Sequence, residues 1–143
     1  MYKITRKNRI REQLQLCNAD GSVALDVPVD LNVDEMQGRA LKAMQELSRC
    51  QAEIRRDPKS EAALEAFGNA VITLFTVIFG EDGAKQIIAF YEDNYTEMLI
   101  DVFPFITGEI LPKIAAASEA RKEQLMQTAR AAKQMKKRGV FGR

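Results

Sequence analysis

The chain has 143 residues, 46% of them hydrophobic, and a formal net charge of +1. A chain of this length forms one domain that buries a core without staples, and its charge balance excludes a polycation that binds nucleic acid through its whole surface. It holds no histidine, which removes the common general base and every His-based nucleophile dyad.

The N-terminus, MYKITRKNRI, has no apolar core of the kind a signal peptide needs; with Arg11 it supplies five bases, Lys3, Arg6, Lys7, Arg9 and Arg11. "RIREQLQL" then puts Ile10, Leu14 and Leu16 on one face, interrupted by Glu12. "NADGS" reads as a turn, with Asp20-Gly21 as its hairpin signal. "VALDVPVDL" alternates strictly, Val23, Leu25, Val27, Val29 and Leu31 against Asp26, Pro28 and Asp30, which predicts a half-buried strand. Pro28 has no N–H to give and belongs on an unpaired edge. An isolated hairpin is marginal in water, so its apolar face must cover a helix or meet another chain.

Helices follow. Asn32, with Glu35 three residues on, predicts a capped start; Met36, Ala40, Met44, Leu47 and Ile54 form the stripe of a helix ending near Arg56. Asp57-Pro58 predicts the cap and first position of a second helix. That helix carries Leu64, Phe67, Val71, Leu74 and Ile78, widened by Phe75 and Val77, and stops at Gly80. The apolar run Ala70 to Phe79 is too short by itself to span a bilayer. A third helix is predicted from about Asp82 to Asp93, with Asn94 as its stop and Thr96 as the cap of a fourth. The remaining stretch, "AAASEARKEQLMQTARAAKQMKKR", has high helix propensity but a thin apolar stripe. It predicts a weakly anchored helix that frays into "GVFGR". The expected fold is therefore α+β and mainly α. A short β-hairpin (1–32) leads into a compact bundle of three to four helices (33–118), together one domain, with a basic helical tail at 119–143.

Nothing in the sequence predicts catalysis. No GxxxxGK[ST] or GxGxxG loop is present, and no acidic run has EF-hand spacing. Glu81/Asp82 and Glu92/Asp93 are sequence neighbours that do not face each other on a helix. Cys17 and Cys50 fit no metal-ligand spacing and read as reduced, buried small groups of a cytoplasmic protein. No catalytic, cofactor-binding or metal-binding residue is nominated, and an enzyme is not expected.

Charge is unevenly spread. Residues 81–109 carry seven acids against Lys85, while 119–143 carry eight bases against two acids. Within the acidic part, "FYEDNYTEMLIDVFPFITGEILPKI" is apolar at helical spacing yet holds Pro104 and Pro112. An interior proline costs a helix ~3 kcal/mol, but a first-turn proline is harmless. Restarts capped by Asp101 and Thr107 would place both prolines near a first turn, so helical pieces joined by bends are predicted. Tyr91, Tyr95, Phe103 and Phe105, with the adaptable Met98, are the candidate partner-binding residues. They are either core or an exposed apolar patch rimmed by Glu97, Asp101 and Glu109.

An "ADG" hairpin, a helical body containing "FGEDGAKQIIAFYEDNYTEML" and "LPKI", and a Lys/Arg/Ala/Gln-rich tail together resemble the tail assembly chaperones of Gram-positive siphophages and prophages. The resemblance implies a non-enzymatic protein of the host cytoplasm. It implies that the protein binds the tape measure protein, or another tail protein, and keeps its long apolar helices soluble. A homo-oligomer fits this reading and a membrane does not. Two alternatives stay open. One is a phage regulator that binds nucleic acid through Arg121, Lys122, Arg130, Lys133, Lys136, Lys137 and Arg138; it is the less favoured, because such charge runs are usually solvated faces. The other is a structural tail or connector protein that assembles through its strand edge.

Overall fold

The computed structural model describes residues 1–6 and 9–137. Its elements are β1 (Arg9–Cys17), β2 (Val23–Asn32), α1 (Val33–Arg56), α2 (Glu61–Phe90), α3 (Tyr95–Phe105), a π-helical turn (Ile106–Ile110) and α4 (Leu111–Lys137). The α+β, mainly helical class expected from the sequence is the one observed. Lys7, Arg138 and the "GVFGR" end lie outside the described residues.

β1 and β2 pair antiparallel, with Ile10 opposite Leu31, Leu14 opposite Val27 and Leu16 opposite Leu25. The connecting turn is held by Asp20 Oδ1, which accepts from Ser22 N at 2.9 Å and Ser22 Oγ at 2.6 Å. Val27, Val29 and Leu31 are buried and Leu25 is half-buried, as alternation predicts; Val23, expected on the same face, is instead 52% exposed where the strand leaves the turn. That face covers a helix, α2. Gly83 makes the approach close, since a Cβ there would lie 3.1 Å from Val27 Cγ1. Glu12, the interruption on β1, pairs with Lys113 of α4, which accounts for a charge on an otherwise apolar face. Cys17 departs from expectation. It is exposed while Cys50 is buried, because it follows the inward-facing Leu16 at a register shift.

Asn32 caps α1, its Oδ1 accepting from Asp34 N at 3.0 Å. The buried side of α1 is Val33, Ala40, Ala43, Leu47 and Cys50; the predicted Met36 and Met44 flank it, partly exposed. Small residues at the centre of the stripe let α1 and α2 approach closely. The expected cap for α2 is corrected. Asp57 closes α1 instead, its N–H donating to Glu53 O. Ser60 caps α2, its Oγ accepting from Ala63 N at 3.1 Å. No residue from 51 to 69 is buried, so the α1–α2 corner projects from the core. That leaves the expected core residue Leu64 50% exposed and Phe67 only partly covered.

α2 is two helical segments, 61–79 and 81–90, joined at Gly80 with φ 78° and ψ 169°. The predicted glycine stop is thus a sharp kink. By length and composition alone α2 could cross a membrane, unlike the short run 70–79 considered by itself. Here its Val71, Leu74, Phe75, Ile78 and Ile87, each no more than 1% exposed, form the centre of the core. A turn with left-handed Glu92 (φ 52°) and Asp93 (φ 63°) leads to α3.

Asn94, not Thr96, caps α3, accepting from Glu97 N at 3.1 Å and donating to Glu97 Oε2 at 3.2 Å. The expected restarts at Asp101 and Thr107 do not occur either. Pro104 lies inside α3, and the chain runs on through one widened turn in which Leu111 N donates to Ile106 O. Pro112 follows directly. Widening to an i→i+5 bond is a known response to a local fault in the ladder, and a residue with no N–H is such a fault.

The widened turn has a packing result. Met98, Val102, Ile106, Ile110, Ile114 and Ser118 stand at every fourth position, and all are buried. In a pure α-helix each four-residue step overshoots a full turn by about 40°, so five steps would carry the last residue to the opposite face. The additional residue in the widened turn recovers about 100° of that drift and keeps the ladder against the core.

Candidate functional site

The outer face of α3 and the far half of α4 both expose large apolar side chains beside charges of mainly one sign.

α3 divides the nominated aromatic residues. Tyr91, just before it, is 8% exposed and Met98 is 1% exposed, so both are corrected from surface candidates to core. Tyr91's hydroxyl donates to Asp101 Oδ2 at 3.1 Å; burial first, and then this carboxylate neighbour, push the phenol up to about 12. Tyr95, Phe103 and Phe105 are half-buried at the edge of the core. Phe105 stacks on Phe79 with ring centroids 6.1 Å apart and planes 17° apart, and Phe79 in turn meets Phe75 at 5.6 Å. Phe105 is therefore mainly a wall of the core that closes over the chain just before the Gly80 kink.

The exposed side of α3 consists of Thr96, Glu97, Ile100, Asp101 and Pro104. Their spacing places them on one face, with Phe103 on one flank and Phe105 on the other. Ile100 is 68% exposed at its centre. It is an exposed apolar residue outside the set nominated from the sequence. The signal was present, since Ile100 falls off the Met98/Val102 stripe and beside Glu97 and Pro104. Residues 92–109 contain five acids and no base, and Glu92, Asp93, Glu97, Asp101 and Glu109 are all exposed.

α4 begins inside the body and leaves it. Ile114 and Ser118 are buried, and every residue from 119 to 137 is exposed. Arg121 holds the exit point, donating from Nε and Nη2 to the Asp34 carboxylate at 3.1 and 2.9 Å. The pair borders an open cleft of about 440 Å³ between α1 and α4, lined by Val33, Gln37, Ser118 and Leu125 among others. Ser118 Oγ is buried there without a hydrogen-bond partner among the described residues. Beyond it, Lys122, Leu125, Met126, Ala129, Lys133 and Lys136 share one face. Leu125 is 71% and Met126 47% exposed.

Among the described residues no group of three or more His, Cys, Asp or Glu is placed to hold a metal ion. Neither surface brings together a nucleophile, a base and an anion-binding cradle. What the arrangement offers is binding: an apolar centre with an acidic rim on α3, and an apolar stripe with a basic rim on α4. Comparison with known proteins gives no significant match to a family model, a curated protein or a solved structure.

Proposed function

We propose that this protein is a non-enzymatic assembly chaperone of phage tails, acting in the host cytoplasm on the tape measure protein. The observation that carries the reading is the outer face of α3. Ile100 and Pro104 stand exposed beside Glu97 and Asp101, on a helix whose opposite side is buried through Met98 and Val102. An amphipathic client helix gains most of its binding energy from a few apolar anchors of this kind, while a charged rim governs encounter rate and specificity. Rigid backing lowers the ordering cost of binding. The sequence resemblance to tail assembly chaperones supplies the class of client.

The test is co-expression with tape-measure fragments followed by pull-down. Ile100→Asp should abolish capture while circular dichroism stays that of wild type. Glu97→Lys should slow association with a basic client, most visibly at low salt. Undiminished capture by a folded Ile100→Asp protein would exclude this face. The exposed bases of α4 favour a second reading, a nucleic-acid-binding regulator; duplex DNA retention that falls steeply with salt would support it.

A further inference from the structure

We infer that the far half of α4 is a docking arm for a second copy of this chain, and that it seats on the acidic outer face of α3 of that copy. This goes beyond the client reading and requires no client.

The first observation is continuity. The side of α4 that packs inside the body, Ile114 and Ser118, continues in line with Leu125 and Ala129. Packing stops at Ser118, yet the apolar stripe does not. From 119 to 137 the helix extends about 28 Å with no residue covered. A solvated helix gains nothing from Leu125 on the same side as its buried residues, with Met126 beside it; a helix covered by a partner does.

The second observation is complementarity. Residues 119–137 carry six bases and two acids, a net +4, and residues 92–109 carry five acids and no base, a net −5. Both surfaces are exposed, and each has an apolar centre: Leu125 and Met126 among Lys122 and Lys133, and Ile100 among Glu97 and Asp101. Opposite rims around apolar centres are how partner surfaces select one another and fix register. Nucleic acid would be met by the bases alone and would leave Leu125 and Met126 without a role. Because arm and face belong to one chain, two copies can exchange arms in a closed, two-fold arrangement.

The experiment measures mass in solution by light scattering, with circular dichroism on every variant. Wild type should have twice the monomer mass at low salt and approach the monomer at high salt. Ending the chain after Ser118, or Leu125→Asp, should give the monomer at both. Reversing the arm (Lys122→Glu, Arg130→Glu, Lys133→Glu and Lys136→Glu, which makes residues 119–137 a net −4) should give a monomer, and so should reversing the face (Glu92→Lys, Glu97→Lys and Glu109→Lys, which makes residues 92–109 a net +1). Mixed in equal amounts, the two reversed proteins should recover the dimer mass, since each arm then meets a face of opposite sign. A wild type that is monomeric at every concentration overturns the inference, whether or not its arm retains duplex DNA. So does a dimer indifferent to both reversals, or a mixture that stays monomeric. Client capture is measured separately, so failure here leaves the client reading to its own test.

Discussion

Phe105 and Phe79 lie nearly parallel across the junction of α3 and α2, their ring centroids 6.1 Å apart. The contact means that a change at Phe105 tests stability before it tests binding. Phe105→Ala should destabilise the fold by about 1–3 kcal/mol, since it removes a half-buried ring and its aromatic partner. Ile100→Asp should stay within about 0.5 kcal/mol of wild type, as exposed substitutions do. Urea melts of the two variants check both. Equal losses would mean that Ile100 is covered.

Leu74 and Phe67 sit on the same apolar stripe of α2, but only Leu74 is fully buried. Leu74→Ala should cost about 2–5 kcal/mol, and Phe67→Ala, near the projecting corner, less than about 2 kcal/mol. The ordering of their denaturation midpoints is the measurement. A Phe67 variant weaker than the Leu74 variant would place the corner inside the core.

Gly80 adopts a backbone conformation open almost only to glycine. Nothing lies within 4 Å of where its Cβ would be, so the cost of a side chain is conformational and not a clash. Gly80→Ala should destabilise by about 1–3 kcal/mol, read from thermal or urea melts. An Ala variant as stable as wild type would show that the kink is optional.

The Tyr91 hydroxyl, held to Asp101, has its pKa raised from 10.0 to about 12. Below pH 10 the phenol keeps its proton in the folded and unfolded states, and the stabilising contribution is complete. Above pH 10 the unfolded state loses the proton first, so stability falls as pH climbs through the folded-state value. Tyr91→Phe should be less stable than wild type by about 0.5–1.5 kcal/mol at neutral pH. The gap should close between pH 10 and about 12. Melts of both proteins across that range would show it, and a constant gap would remove the hydroxyl as its source.

Much of this architecture was legible because local rules and tertiary packing agree. Alternation from Leu25 to Leu31 marks β2's buried face, Asn32 and Gly80 mark real boundaries, and the stripe thins after Glu119 where residues 119–137 are exposed. The misreadings have local physical causes. Asp57 and Ser60 both carry cap-forming oxygens three residues apart, and only the turn between them decides which one is used. Thr96 lost to Asn94 in the same way. Proline rules describe an ideal α-helix and so predict breaks; a widened turn absorbs Pro112 while Ile106, Ile110 and Ile114 remain buried. For Tyr91 and Met98 the sequence leaves core and surface both open, and packing decides for the core. Ile100 is not legible as an exposed residue until the buried face of α3 is fixed.

The widened turn also acts as a gear. Everything after Ile110 inherits its azimuth from the one additional residue that the turn accommodates. A deletion at Gly108, inside that turn, would remove the additional residue: the turn would close to an ordinary α-helical one, and Ile114 and the Leu125 stripe would keep their directions. The same deletion at the exposed Ala116, outside the turn, has nothing to absorb it and would rotate everything beyond by about a quarter turn, so that Ser118 would leave the core and the Leu125 stripe would point elsewhere. Length changes are usually absorbed in loops; here one turn inside a helix can absorb a change that its neighbours cannot.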